Sequence, residues 1–230
     1  MRTAAILPIK RFALAKQRLG ESVAEQLRLD LARAMVGDVL VALSHSAAIE
    51  LTVVVTNERS VTAAARYTGA IVVADTAEDG QNAAVAIGIE RALAEGAERV
   101  LCIPGDCPAL DPEELDVLLG AETGLRLGGT EVAIVPDRHG TGTNGLLLAP
   151  PDVMTPSFGP GSCERHGELA KTAGAHCRVE QVASLLLDID TGEDLAVLRE
   201  RLAGERVHAP RTRAVLGLGK RRWQSSRPAA

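Results

Sequence analysis

Val100-Leu101-Cys102-Ile103-Pro104-Gly105-Asp106-Cys107-Pro108 runs four apolar residues straight into a proline–glycine turn that carries a carboxylate. An apolar run without alternation predicts a strand covered on both faces, as in a parallel sheet between helices. The turn fixes Asp106 where such a strand ends. Outward from this segment, strand and helix patterns alternate. Strands are predicted at Thr3–Leu7, Leu51–Val55, Ala70–Ala74, Val132–Val135, Gly145–Leu148, near Val179 and at Leu185–Ile189. Helical spacing covers Val23–Leu43, Val61–Tyr67, Asn82–Ala94, Pro112–Leu119, Ser162–Ala173 and Glu193–Leu202. Regular alternation predicts an α/β chain, a three-layer α/β/α sandwich on a mostly parallel mixed sheet. Ligands in such folds bind beyond the carboxyl ends of the strands. Asp75 and Asp106 follow predicted strand ends, and Asp188 and Asp190 lie around the end of Leu185–Ile189.

Composition narrows the classes. Of 230 residues, 46 % are hydrophobic and the only aromatic ones are Phe12, Tyr67, Phe158 and Trp223, so the core is aliphatic. That hydrophobic content excludes a disordered chain. No apolar run reaches the ~20 residues of a membrane helix. The Thr3–Ile9 segment is short, interrupted by Pro8 and followed by Lys10 and Arg11, so no secretory leader is expected and a cytoplasmic location is. Cys102, Cys107, Cys163 and Cys177 form no C-x-x-C pair and are expected as reduced thiols. Cys163, His166, His176 and Cys177 match no common zinc spacing. Residues 205–230 hold seven basic residues against one acid, leaving −11 on residues 1–204. The reading is one domain over 1–204 with a basic, mobile tail over 205–230. The negative body argues against nucleic-acid binding.

Four segments carry the chemistry. Leu7-Pro8-Ile9-Lys10-Arg11-Phe12-Ala13-Leu14-Ala15-Lys16-Gln17-Arg18-Leu19 ends a strand in a loop with four cations, suited to a polyphosphate. It lacks the P-loop and G-x-G-x-x-G patterns. Glu78-Asp79-Gly80-Gln81-Asn82 opens a helix, where Gly80 permits close backbone approach and Asn82 both donates and accepts. The Asp106 turn pairs with Leu187-Asp188-Ile189-Asp190-Thr191, whose two carboxylates share one side of an extended segment. Hard oxygen ligands of this kind suit Mg²⁺. Phe158-Gly159-Pro160-Gly161-Ser162 delivers Ser162 to a helix start, an anion site that the hydroxyls of Thr141-Gly142-Thr143-Asn144 would complete.

In order along residues 3–203, L-P-x-K, A-K-x-R-L, G-x-N-A-A, P-G-D-x-P, G-T-G-T, F-G-P-G-S and D-x-D-T resemble the phosphoenolpyruvate/2-phospho-L-lactate guanylyltransferases of coenzyme F-420 biosynthesis. The resemblance implies a GT-A-like nucleotidyltransferase fold, related to nucleotide-diphospho-sugar transferases. The molybdenum cofactor guanylyltransferases share that fold but use a Gly-Gly loop where this chain has Leu7-Pro8-Ile9-Lys10. It further implies a reaction of GTP with phosphoenolpyruvate or 2-phospho-L-lactate, and a labile product passed to a downstream transferase. Asp106, Asp188 and Asp190 would hold Mg²⁺, with room for two ions. Lys16, Lys10, Arg11 and Arg18 would neutralise the triphosphate. Pro8, Gly80 and Asn82 would line the nucleotide pocket, and Thr143, Gly159 and Ser162 the acceptor pocket. Another acceptor on the same fold, or a non-catalytic nucleotide-binding protein, are the competing readings.

Overall fold

A computed structural model describes residues 1–76, 78–120, 129–204 and 208–218. Seven strands form one sheet: β1 (Thr3–Ile9), β2 (Leu51–Thr56), β3 (Ile71–Val73), β4 (Arg99–Cys102), β5 (Glu131–Pro136), β6 (Thr143–Ala149) and β7 (His176–Val179). Their spatial order is β3-β2-β1-β4-β6-β5-β7. Only β6 runs against the rest, pairing antiparallel with β4 and β5. The main helices are α1 (Gln17–Gly20), α2 (Glu25–His45), α3 (Arg59–Tyr67), α4 (Gln81–Ala94), α5 (Pro112–Leu118), α6 (Ser162–Thr172), α7 (Gly192–Leu202) and α8 (Pro210–Val215). Among the described residues no helix is long and apolar enough to cross a membrane.

The β1 side chains show why both faces are apolar. Ala5, Leu7 and Ile9 pack with Val36, Val39 and Leu40 of α2, Val61 of α3 and Leu115 of α5. Ala4 and Ile6 point the other way, onto Ala84, Val85 and Ile89 of α4. Period-two alternation sends every other residue to the opposite layer, so a strand inside three layers must be apolar throughout. Close helix packing depends on Gly88 of α4, where a Cβ would lie 2.4 Å from Ile6 Cγ2.

Two expectations are corrected. Leu185–Ile189 is not a strand and joins no sheet. Leu187 and Ile189 are buried instead among Leu31 and Met35 of α2 and Leu195 and Leu198 of α7. The segment is held by a backbone hydrogen bond from Ile189 N–H to Asp106 O (3.2 Å). The folded body also does not stop at 204. Residues 208–218 include α8, which buries Ala209, Thr212 and Leu216 and packs on α2. Buried Asp38 of α2 accepts the backbone N–H groups of Arg211 (3.1 Å) and Thr212 (2.8 Å). The Arg211 side chain lies over Gly37, where a Cβ would sit 2.6 Å from Arg211 Nη1 and force that side chain to move. Residues 205–207 and 219–230 of the expected tail, Trp223 among them, lie outside the described residues.

Candidate active site

Chain order sets the site's position. From β1 the chain winds outward to β2 and β3, then returns to place β4 on the other side of β1. The carboxyl ends of β1 and β4 therefore diverge at a topological switch point, where a crevice opens. Because β6 is antiparallel, its first residues, Thr143 and Asn144, join the same edge. A cleft of about 530 Å³ opens there, its walls including Pro8, Lys10, Lys16, Gly80, Asp106 and Ser162. Thr143, Gly159, Asp188 and Asp190 also face it.

Three carboxylates meet in this cleft. Asp106, Asp188 and Asp190 each offer an oxygen, all within 4.8 Å of one another. At an effective dielectric of about 20, two charges at that separation repel by ~3–4 kcal/mol, so the cluster demands positive charge. Lys16 supplies part of it, its ammonium bonding Asp106 and, at 2.6 Å, Asp190 Oδ1. Arg18 Nη2 reaches Asp190 Oδ2 at 2.8 Å. Burial disfavours the Lys16 charge, but Asp106 and Asp190 outweigh it and raise its pKa. Burial opposes the Asp190 charge too, yet Lys16 and Arg18 prevail and lower its pKa. Asp188 is different. Burial and the neighbouring Asp106 and Asp190 charges raise its pKa, against the opposing pull of its own backbone N–H and of a side-chain amide. That amide is Asn144 Nδ2, at 3.1 Å from Asp188 Oδ1 and 2.8 Å from Leu185 O. Asp106 Oδ1 is buried with no hydrogen-bond partner among the described residues. An under-neutralised set of hard oxygens with one orphaned atom fits a divalent cation.

Local structure fixes each group. Gly105 is required beneath the turn, because a Cβ would lie 2.2 Å from Ile9 Cδ1 and 3.1 Å from Val36 Cγ2. Lys16 adopts left-handed backbone (φ 59°), a strained state that aims it at the carboxylates. Buried Arg28 of α2 supports that loop from below, donating to Phe12 O at 2.8 Å and to Ala15 O. Asp194 holds the other side. Its Oδ2 accepts from Asp190 N (3.1 Å), Thr191 N (2.8 Å) and Thr191 Oγ1 (2.8 Å), while its Oδ1 pairs with Arg138 Nη2 at 2.7 Å.

At the other end of the cleft, Ser162 Oγ donates to Thr143 Oγ1 (3.1 Å), and both residues are buried. The 157–160 loop is held rigidly. Arg165 donates from Nε to Ser157 Oγ (2.9 Å) and from Nη1 to Pro160 O (3.0 Å). The ring of Phe158 stacks edge-on against His166 with centroids 5.0 Å apart.

Pro8, Lys10, Lys16, Gly80, Asp106, Thr143, Gly159, Ser162, Asp188 and Asp190 thus share one cleft. Two predicted site residues make other contacts. Asn82 stands beside the cleft with its amide engaged: its Oδ1 accepts from Phe158 N (2.7 Å) and its Nδ2 donates to Phe158 O (3.3 Å). A two-point amide clamp ties α4 to the acceptor loop. Arg11 turns to Glu78 at 2.6 Å, away from the cations it was grouped with. The supporting contacts of Arg28, Arg138, Asn144, His166 and Asp194 are not spelled out by any sequence motif. His166 carried a usable signal, lying one helical turn after Ser162; the partners of Arg28 and Asp194 carried none.

The chain matches known proteins along nearly its whole length. It is 48 % identical over 216 residues to a phosphoenolpyruvate guanylyltransferase of Conexibacter woesei, covering 94 % of this chain and 96 % of that one. A phosphoenolpyruvate guanylyltransferase of Sphaerobacter thermophilus is 35 % identical over 210 residues, 91 % of this chain and 95 % of that one. Among solved structures, a Desulfovibrio desulfuricans G20 protein assigned to the nucleotide-diphospho-sugar transferases superposes with a TM-score of 0.70 at 19 % identity, covering 95 % of each chain. A nucleotidyl transferase of Methanothermobacter gives 0.59 at 20 % identity, covering 87 % of this chain and 97 % of that one. These two similarities establish the fold. Residues 3–214 match the family described as Guanylyl transferase CofC like, and the chain belongs to that family.

Proposed function

We propose that this chain is a cytoplasmic guanylyltransferase that condenses GTP with phosphoenolpyruvate, or with 2-phospho-L-lactate, and releases pyrophosphate. The observation that carries the reading is the Asp106, Asp188, Asp190 and Lys16 cluster at the β1/β4 switch point. The naming of the family's relatives as phosphoenolpyruvate guanylyltransferases supports the choice of base and acceptor.

The acceptor brings its own nucleophile, a phosphate oxygen, so no side chain need attack. That oxygen forms a bond to the α-phosphorus of GTP. The bond from the α-phosphorus to its bridging oxygen breaks, and pyrophosphate leaves with the electron pair. Asp106, Asp188 and Asp190 would hold Mg²⁺, which when bound draws charge from the α-phosphate and the departing pyrophosphate. Lys16 and Arg18, which neutralise Asp106 and Asp190 in the structure, turn to the triphosphate oxygens on binding. The first turn of α4 has no side-chain cap among the described residues, so its leading amides are free at the wall formed by Gly80 and Gln81. Thr143, Ser162 and the Gly159 backbone take the acid's anionic groups. Catalysis is then positioning and charge compensation.

The test is incubation with GTP, Mg²⁺ and phosphoenolpyruvate, 2-phospho-L-lactate or 3-phosphoglycerate in turn, following pyrophosphate. Release that depends on one of the first two acids is expected. Absence of release with every acid contradicts the reading.

A further inference from the structure

His166 is fully buried, one helical turn beyond Ser162 on α6, and has no role in the mechanism above. Both ring nitrogens are engaged. Nε2 accepts the backbone N–H of Ser157 at 2.9 Å, and Nδ1 lies 3.0 Å from Thr143 Oγ1. A backbone N–H can only donate, so Nε2 must present its lone pair. A neutral imidazole then carries its single proton on Nδ1 and donates it to Thr143 Oγ1. The ring is neutral at working pH, because burial and then the Arg165 guanidinium lower its pKa to about 4. Thr143 Oγ1 therefore accepts twice, from His166 Nδ1–H and from Ser162 Oγ–H. With both lone pairs committed, its own O–H has no acceptor among the described residues and is left for the cleft, which Thr143 lines.

We propose that His166 is a positioning residue whose Nδ1–H tautomer, set by the Ser157 backbone, compels the Thr143 hydroxyl to act as a hydrogen-bond donor to the acceptor's anionic group. This deepens the functional reading and rests on its placement of the acid at Thr143 and Ser162. A phosphate or carboxylate only accepts hydrogen bonds. A threonine free to rotate would offer it a lone pair part of the time. In the opposite tautomer, Thr143 would spend its proton on Nδ1 and present the acceptor with repulsion.

Two measurements test this. The first reads the tautomer of the full chain without turnover, by long-range ¹H–¹⁵N NMR of ¹⁵N-histidine protein, with the His166 signals assigned by their loss in H166N. A protonated Nδ1 and unprotonated Nε2 are expected; the reverse pattern overturns the proposal. The second compares H166N, whose amide places a donor near the Nδ1 position, with H166Q, which reaches the Nε2 position and keeps only the Ser157 contact. The acceptor KM should rise about ten- to a hundredfold in H166Q, the range for losing a hydrogen bond to a charged group. The GTP KM should stay within about twofold, and H166N should recover most of the acceptor KM. An unchanged acceptor KM in H166Q, or equal increases in both KM values in both variants, overturns the proposal. If the parent chain shows no acceptor-dependent pyrophosphate release, the functional reading has failed, and the tautomer measurement alone decides the His166 geometry.

Discussion

Replacing Asn144 with alanine tests whether the carboxylate cluster is held from behind, since Asn144 acts through Asp188. Its amide bridges the Leu185 carbonyl (2.8 Å) and Asp188 Oδ1 (3.1 Å), and the residue is buried. Truncation leaves the Leu185 carbonyl with only the weak Cys107 Sγ–H contact at 3.7 Å and removes the amide from Asp188. A net hydrogen bond to the carbonyl is worth about 0.5–1.5 kcal/mol, and one to a charged group about 1.5–3 kcal/mol. Asp188 borders the cleft, so water restores part of its share. The expected net loss is about 2–4 kcal/mol in urea unfolding. The second effect discriminates. A supporting contact of this kind is worth about 10–100-fold in metal affinity, so the Mg²⁺ concentration for half-maximal pyrophosphate release should rise by that factor. If stability falls as calculated while the Mg²⁺ requirement stays within about twofold, Asn144 merely props the Leu185 backbone. The orientation argument for Asp188 is then wrong.

Asp188→Asn should lower turnover by about 100-fold or more, because metal-ion charge stabilisation is worth several kcal/mol. Burial and two like charges disfavour its ionised form, so the same variant should melt higher without metal, a site optimised against stability. A lower melting temperature would refute that balance. Asn82→Ala should raise the acceptor KM more than the GTP KM, since its amide clamps Phe158 and does not line the cleft; a selective GTP defect would return Asn82 to the nucleotide. For His166, the folded-state pKa lies below the ordinary 6.5, so its contribution is complete above pH 6.5 and is lost as pH falls towards 4. That shift corresponds to about 3 kcal/mol at the acid limit. Urea titrations at pH 7 and pH 4 should show a smaller acid loss in H166N than in the parent, and an equal loss would contradict the assignment.

The sheet was legible because a strand buried on both faces has to be apolar along its covered length, as β1 is after Thr3 and β6 is from Gly145. Asp106 was legible because Gly105 admits one tight path between Ile9 and Val36, and the turn shows in the letters. Leu185–Ile189 misled for the same reason that β1 did not. Apolar patterning reports burial, and here α2 and α7 supply the burial with no neighbouring strand to pair. The α8 dock was hidden by charge: Ala209, Thr212 and Leu216 mark its buried side, with Val215 and Leu218 partly buried beside them, in a segment whose most visible residues are basic. Asn82 showed its residue type but not its partner, Phe158, which lies 76 positions away and is set by tertiary geometry. The supporting shell of Arg28, Asn144 and Asp194 stayed silent for that reason as well, while the residues facing the cleft announced themselves through glycines and paired acids.

The central claim is attack by an acceptor phosphate oxygen at the α-phosphorus of GTP, and ³¹P NMR of a reaction with phosphoenolpyruvate and Mg²⁺ tests it directly. The account predicts pyrophosphate together with a new pair of mutually coupled diphosphate resonances, as phosphoenolpyruvate and GTP decline in equal amounts. Formation of GDP and inorganic phosphate, or of GMP at a rate indifferent to phosphoenolpyruvate, would contradict it.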